Sequence, residues 1–160
     1  MPEKGPDGNY SLQVDYDNLF ACCTVTIGMG KKEAHKRHCG DAKGEKNIRG
    51  FIQEHNCTKY FKYNNLGEIL PNGVYVSFEE YNKNRGTLPK DQLDALKTLE
   101  TLNLNSTTLV EERKKEIAAL LKVISRLEKK KIDEKIIEFE QETHYHRFID
   151  VLLYYMRQKK

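Results

Sequence analysis

The residues of this sequence best suited to chemistry are basic side chains grouped at a predicted helix start. Four of them stand close together: Lys31, Lys32, Lys36 and Arg37. An ammonium group beside the free backbone N–H groups of a helix N-terminus attracts phosphate oxygens. A predicted turn lies upstream, its first residue 31 − 5 = 26 positions before Lys31: Gly5, Pro6, Asp7 and Gly8. Together the two motifs predict two nucleic-acid contacts at a fixed separation, with phosphates at the lysine cluster and the minor groove at the turn.

The chain between these motifs has the pattern of an antiparallel hairpin. Tyr10 to Tyr16 carries apolar residues at period two, which is typical of a strand with one buried face. Asp17-Asn18 supplies a turn, and Leu19 to Ile27 favours a return strand because it is rich in aromatic and β-branched residues. From Lys31 onward we expect a helix, because residues that could form its inner face fall four apart: Ala34, His38 and Ala42.

These motifs resemble the double-stranded-RNA-binding domain family over about residues 3–55. The resemblance rests on Gly5-Pro6-Asp7-Gly8, then Tyr10-x-Leu12-x-Val14, then Gly28-Met29-Gly30-Lys31-Lys32-Glu33-Ala34. It implies an α+β fold in which a small antiparallel sheet packs on a helix. It also implies non-enzymatic binding of structured, double-stranded RNA, in which the lysine cluster contacts phosphates and the Gly-Pro turn reaches the minor groove.

Two departures from the family leave another interpretation open. Only Met1 to Lys4 precede the Gly-Pro turn, where family members carry a first helix and a first strand. Gly8 stands where the family usually has a histidine that reaches the minor groove. Degenerate members of the family often serve in protein interaction. The alternative is therefore a protein–protein interaction adaptor in an RNA-processing or RNA-silencing assembly, whose dsRBD-like module does not touch RNA.

A second basic and aromatic stretch follows, Lys59-Tyr60-Phe61-Lys62-Tyr63. Interleaved cations and rings suit a nucleic acid, because rings stack on bases and cations meet phosphates. We therefore predict that Lys59 and Lys62 make secondary RNA contacts. The competing interpretation of this stretch is an ordinary amphipathic strand.

The surrounding residues predict short strands over 60–76 and a brief helical turn after them. Asn64-Asn65 breaks the strand pattern, and Asn72-Gly73 favours a tight hairpin turn. Phe78 to Tyr81 predicts the helical turn, and a linker then runs to Pro89. We place a domain boundary there, between an α+β module of residues 1–88 and a helical region of residues 89–160.

The helical region has neither Gly nor Pro from Lys90 onward. A first helix is predicted from the apolar positions Leu93, Leu96, Leu99 and Leu102. Thr108-Leu109-Val110-Glu111 fits a capping box that begins a second helix. An imperfect apolar stripe follows: Ile117, Leu120, Leu121, Ile124, Leu127, Ile132, Ile136, Phe139, Phe148, Leu152 and Met156. This stripe suits either a helical hairpin packed on the first module or an intermolecular coiled coil that forms a homodimer.

Other function classes find little support. The sequence has no Walker-type loop, nucleophile elbow or His-Glu-x-x-His motif, so we expect no enzymatic activity and no cofactor. No apolar run is long enough to span a bilayer and no secretory signal begins the chain, so we expect an intracellular protein of the cytoplasm or nucleus with reduced thiols. The net charge of +3 is too small to identify a nucleic-acid partner by itself.

Zinc binding is a third possibility. Cysteine and histidine are frequent in the first part of the chain: Cys22, Cys23, His35, His38, Cys39, His55 and Cys57. Zinc usually takes four such ligands from pairs two to four residues apart. No Cys-x-x-Cys pair is present, so we expect no metal site, and a zinc-stabilised regulatory domain stays as the least favoured alternative.

Overall fold

The computed structural model describes residues 37–46, 48, 57–141 and 147–159. Its regular elements are α1 (Gly40–Lys43), β1 (Phe61–Tyr63), β2 (Ile69–Pro71), α2 (Phe78–Lys83), α3 (Lys90–Thr101), α4 (Thr107–Ile124), α5 (Lys129–Gln141) and α6 (Ile149–Lys159). Single 3-10 turns cover Cys57–Tyr60 and Arg85–Thr87. The described part of the chain thus combines a small antiparallel sheet with helices, as the sequence predicts at this level.

The two strands form a hairpin that pairs Phe61 with Pro71 and Tyr63 with Ile69. Asn64 forms its turn, because the side-chain Oδ1 accepts hydrogen bonds from the backbone N–H of Leu66 (3.1 Å) and Glu68 (3.0 Å). An asparagine side chain that bonds the backbone two residues ahead is ordinary turn chemistry. The predicted strand break at Asn64-Asn65 is therefore confirmed.

The second predicted hairpin turn, at Asn72-Gly73, is wrong. β2 ends at Pro71, and residues 72–77 run as bends into α2 without a further strand. Asn72 is held instead by the two residues just before β1, because its N–H donates to Tyr60 O (2.8 Å) and its Nδ2 donates to Lys59 O (3.0 Å). The loop's polar groups are thus satisfied by side chains and by earlier backbone, which removes the need for strand pairing.

Helix α2 confirms the helical turn predicted at Phe78 to Tyr81 and extends it to Lys83. Its first turn is capped by Ser77, whose Oγ accepts a hydrogen bond from the N–H of Glu80 (3.2 Å). Tyr81 is fully buried, and its hydroxyl donates to Pro71 O at 2.8 Å. This bond joins α2 to the end of β2.

Contacts run across the boundary predicted at residue 88. Helix α3 packs on β2, and Leu96 joins Leu70 and Tyr81 in one small core cluster. Helix α6 also touches β1. The division into two domains stays a prediction, while the hairpin and the helices after it share packing surfaces in the described residues.

The apolar stripe of the helical region packs within one chain. It forms the larger core cluster, where α4, α5 and α6 meet, with the buried members Ile117, Leu120, Ile124, Ile132, Ile136, Phe139, Val151, Leu152, Leu153, Tyr155 and Met156. Burying such side chains is the main favourable term in folding, worth roughly 1.5–3 kcal/mol for each. The stripe thereby has intramolecular partners, and self-association through further surfaces stays a prediction.

The capping box predicted at Thr108 is wrong. Helix α4 already begins at Thr107, so Thr108 lies inside its first turn, and Ser106 occupies the N-cap position. Ser106 forms no side-chain capping bond, although it is buried and its Oγ has no hydrogen-bond partner. The preceding backbone controls the start of this helix, because Asn103 adopts a positive φ of 47° and its carbonyl accepts from the N–H of Ser106.

The helix predicted from Lys31 through Ala42 is not continuous. Arg37 and His38 are non-helical, Cys39 has a positive φ of 55°, and α1 is a single turn that begins only at Gly40. Long-range bonds compete with helical ones here: Cys39 N–H donates to Leu102 O (2.8 Å), and Asn103 Nδ2 donates to Arg37 O (2.6 Å). These two bonds tie the segment to the end of α3.

A buried arginine joins the hairpin to α4. Arg113 is 2% exposed, and its Nε donates to Gly67 O at 2.7 Å while a terminal nitrogen donates to Leu104 O at 2.6 Å. Asn105 completes the link by bonding both the N–H and the carbonyl of Ile69 at 2.8 Å. Burial lowers the pKa of Arg113 to about 10, opposed by the nearby Tyr63 and Glu68, so the guanidinium stays charged at neutral pH.

Replacing Gly67 by alanine should destabilise the fold by at least about 2 kcal/mol. Gly67 has a φ of +85°, and an added Cβ would lie 2.3 Å from Val110 O on α4. Gly86→Ala is the matched control, since a Cβ there meets nothing within 4 Å. Urea unfolding followed by circular dichroism measures both, and equal stability of the two variants would refute the close approach.

Replacing Arg113 by methionine should lower the free energy of unfolding by at least about 2 kcal/mol, because the buried carbonyl of Gly67 and the partly buried carbonyl of Leu104 lose their donors. The control Arg85→Met removes an exposed arginine paired with Glu100 and should cost less than about 1 kcal/mol. Both are measured by urea unfolding. A well-folded Arg113→Met protein as stable as the parent would contradict the proposed role of this bridge.

Candidate nucleic-acid interface

Most residues of the predicted primary RNA contact lie outside the described residues: Gly5, Pro6, Asp7, Gly8, Lys31, Lys32 and Lys36. Arg37 is the described member of that set. It is half-buried, and its carbonyl accepts from Asn103. The interface can therefore be built only from the second predicted stretch, Lys59 to Tyr63.

The side chain of Lys62 makes a hydrogen bond within the protein. Its ammonium donates to Gly73 O on the loop that follows β2. Burial lowers the pKa of Lys62, while the negative charge of Glu80 acts in the opposite direction. Lys62 therefore holds the loop against β1, and its predicted phosphate contact would require it to leave this bond.

Lys59 has a different setting, although it is only three positions away. It is exposed, and its Nζ lies 4.8 Å from the centre of the Tyr60 ring. Such a cation–π contact holds the ammonium near the surface while keeping it solvated. The Lys59 ammonium thus lies at the surface of the protein, and its contact with RNA stays a prediction.

A groove lies between this stretch and the last helix. It has a volume of about 340 Å³ and is lined by Thr58, Lys59, Phe61, Tyr63, Asn72, Asp150, Tyr154, Arg157 and Gln158. The size falls in the usual range for small-ligand pockets, roughly 300–1,000 Å³. One wall comes from β1 and the turn before it, and the other comes from α6. The groove therefore joins two parts of the chain that are far apart in sequence.

The α6 wall was missed by sequence reasoning. Asp150, Tyr154 and Arg157 lie on one helix face because they are spaced at i, i+4 and i+7. That spacing is visible in the sequence. What the sequence does not reveal is that this face meets β1, because only the packing of the bundle brings the two together.

Three aromatic side chains line the groove: Phe61, Tyr63 and Tyr154. The rings of Tyr63 and Tyr154 are 5.2 Å apart at an interplanar angle of 71°, an edge-to-face contact across the two walls. Tyr154 makes a second such contact with Tyr155, at 5.5 Å and 84°. These contacts hold the Tyr154 ring in place, so that the aromatic part of the lining is preorganised.

Charged groups sit at the rim. Arg157 is exposed, and one of its terminal nitrogens bonds Glu140 at 2.5 Å, which leaves the guanidinium fixed in direction and partly open to solvent. Asp150 is exposed and has no hydrogen-bond or ion-pair partner among the described residues. The groove thus offers two cations, Lys59 and Arg157, and one carboxylate that can accept hydrogen bonds.

A smaller cavity of about 260 Å³ adjoins this groove, since Lys59 and Asn72 line both. Its other lining residues are Tyr60, Pro89, Asp91 and Gln92. Lys59 therefore contributes to the lining of both depressions.

The cysteines and histidines considered for zinc lie partly within the described residues. In residues 37–46, 48, 57–141 and 147–159, no three His, Cys, Asp or Glu side chains are placed to hold a metal ion. His38 lies 3.4 Å from the sulfur of its neighbour Cys39. Cys22, Cys23, His35 and His55 lie outside the described residues.

In the same described ranges, none of the helices combines the length and apolar character needed to cross a lipid bilayer. No protein-family model matches the chain, and no curated protein or solved structure is significantly similar to it. The geometry of the groove is therefore the basis on which a function is proposed.

Tyr155, which follows Tyr154 in α6 and contacts its ring, yields a prediction about pH. The hydroxyl of Tyr155 is buried without a hydrogen-bond partner, and burial together with Tyr154 raises its pKa from 10.0 to about 12. The folded state therefore favours the neutral phenol. The free energy of unfolding therefore keeps its full contribution from Tyr155 below pH 10 and loses it as the pH rises toward 12. The loss occurs because the phenol ionises at a lower pH in the unfolded state than in the folded state.

Tyr155→Phe should keep or slightly raise the free energy of unfolding at pH 7, because it removes a buried hydroxyl that has no partner. Its stability advantage over the parent should grow between pH 10 and pH 12. Urea unfolding at a series of pH values measures the difference. A variant that is strongly destabilised at pH 7 would show that the hydroxyl has a partner in solution.

Proposed function

We propose that this protein binds structured RNA without catalysing a reaction, and that the groove between β1 and α6 is one of its contact surfaces. The observation that carries the proposal is that Lys59 and Arg157 line one groove together with the rings of Tyr63 and Tyr154. Cations neutralise phosphates, and aromatic rings stack on bases whatever the sequence. An RNA-binding role of this kind belongs in the cytoplasm or the nucleus.

In this proposal the groove is the second of two contacts. The resemblance to double-stranded-RNA-binding domains assigns the duplex contact to the first, with Lys31, Lys32, Lys36 and Arg37 on phosphates and the turn of Gly5 to Gly8 in the minor groove. Two weak contacts in one chain raise the overall affinity through effective concentration. A homodimer formed through the helical region would multiply this effect.

A protein-interaction adaptor is the second candidate, and one observation favours it. Three apolar side chains stand out into solvent on the hairpin turn and the loop after β2: Leu66 is 56% exposed, Val74 83% and Val76 67%. The turn and the loop are joined, because Asn64 Nδ2 donates to Val76 O at 3.0 Å. Exposed apolar residues held close together are typical of protein contact surfaces.

A salt-dependent binding experiment separates the two candidates. Fluorescence anisotropy with a labelled RNA duplex, and with duplex DNA and single-stranded RNA as comparisons, should show preferential binding of duplex RNA that weakens as salt is added. Lys59→Ala/Arg157→Ala should weaken binding about tenfold or more. It should also reduce the salt slope, the slope of log binding constant against log salt concentration, by about 1–2. Lys31→Ala/Lys32→Ala/Lys36→Ala should weaken it further.

The matched control is Lys115→Ala/Lys122→Ala, which removes two exposed cations of α4 that do not line the groove. It changes the net charge by the same amount and should leave the affinity within about twofold. Folded protein that binds no RNA up to about 100 μM would refute RNA binding and favour the adaptor. Equal losses in the groove variant and the control would refute the groove as a contact surface.

A further inference from the structure

We infer that the groove between β1 and α6 receives a single unpaired base and prefers guanine, an inference that rests on the proposed RNA binding and names the ligand of that site. The juxtaposition that carries it is one carboxylate, Asp150, which has no hydrogen-bond or ion-pair partner among the described residues and lines the same groove as aromatic rings and two cations. This makes the protein a reader of bulges, overhangs or loops attached to a duplex.

The shape of the groove favours a base that has left its helix. In an A-form duplex the bases are stacked and their edges are paired, so a protein reaches mainly phosphates and 2′-hydroxyls. A groove of about 340 Å³ that is lined by Phe61, Tyr63 and Tyr154 offers contact to a flat aromatic ring instead. An unpaired base supplies such a ring, and stacking of bases on aromatic side chains contributes to the binding of single-stranded nucleic acids.

Asp150 supplies the selectivity. A carboxylate at neutral pH only accepts hydrogen bonds, and it can accept two in parallel. Guanine presents two adjacent donors on its Watson–Crick edge, the N1–H and the N2 amino group. Uracil presents one N–H flanked by two carbonyl oxygens, which repel a carboxylate. Cytosine and adenine each offer one amino group beside an acceptor nitrogen, and so rank between the two.

The two cations fit the same ligand. Phosphates flank any unpaired nucleotide on both sides, and the groove is lined by one cation before β1, Lys59, and one on α6, Arg157. The Arg157 guanidinium is paired with Glu140 at 2.5 Å and remains 57% exposed, so part of it is open to a phosphate from solvent. A nucleotide with its base in the groove would therefore place its phosphates near the rim, where these cations lie.

The test compares three labelled duplexes of about 20 base pairs that are identical except for one central position: a bulged guanosine, a bulged uridine, or no bulge. The parent protein should bind the guanosine bulge about tenfold more tightly than the other two. Asp150→Asn should bring the guanosine and uridine bulges within about twofold of each other and leave the salt slope unchanged. Circular dichroism establishes that the variants are folded.

The control Glu116→Gln removes one exposed negative charge on α4 and should keep the full preference for guanosine. A second measurement needs no RNA duplex: guanosine 5′-monophosphate should shift the ring resonances of Tyr154 in NMR spectra at concentrations where uridine 5′-monophosphate does not.

The outcomes separate the two levels of the proposal. RNA binding that depends on Lys59 and Arg157 but is equal for all three duplexes would overturn the guanine inference alone. The same holds if Asp150→Asn keeps the preference for guanosine. If no RNA binds and neither nucleotide shifts Tyr154, both the proposed function and this inference fall.

Discussion

The position of the hairpin depends on one buried guanidinium. A charge taken out of water is unfavourable unless its hydrogen-bonding groups find partners, and Arg113 finds them in backbone carbonyls of two different segments. Gly67 makes this possible, since only a residue without a side chain can bring the hairpin turn so close to α4. The turn, the helix and the loop before the helix are thereby fixed relative to one another.

The groove inherits its geometry from this arrangement. Arg113 anchors the turn that follows β1, while the Tyr63–Tyr154 contact anchors β1 itself to α6. Because α4 and α6 also pack on each other in the larger core, the two walls of the groove belong to one connected set of contacts. A binding surface built this way needs no rearrangement to bring its cations together, which reduces the entropy lost when a ligand binds.

Local features were predictable from the sequence, and contacts between distant elements were not. The Asn64-Asn65 break, the short helix at Phe78 and the long helices follow from turn chemistry and apolar spacing, which act within a few residues. The capping box failed because Ser106 and Thr108 both fit the start of α4, and the backbone at Asn103 decides between them. Lys59 and Lys62 look equivalent in the sequence, yet one faces solvent and the other holds a loop. Arg113 carried an overlooked signal, since it lies on the apolar face of α4 with Leu109 and Ile117.

The link between Gly67 and Arg113 also has a consequence for the order in which the chain folds. A hairpin of two three-residue strands is marginal by itself in water. Its anchoring donor lies 46 residues further along the chain. During synthesis the hairpin therefore leaves the ribosome before the helix that secures it exists. The backbone hydrogen bonds of its strands are lastingly protected from exchange with solvent only once α4 has been made. The groove also needs α6, the last helix, and is therefore among the last parts of the molecule to form.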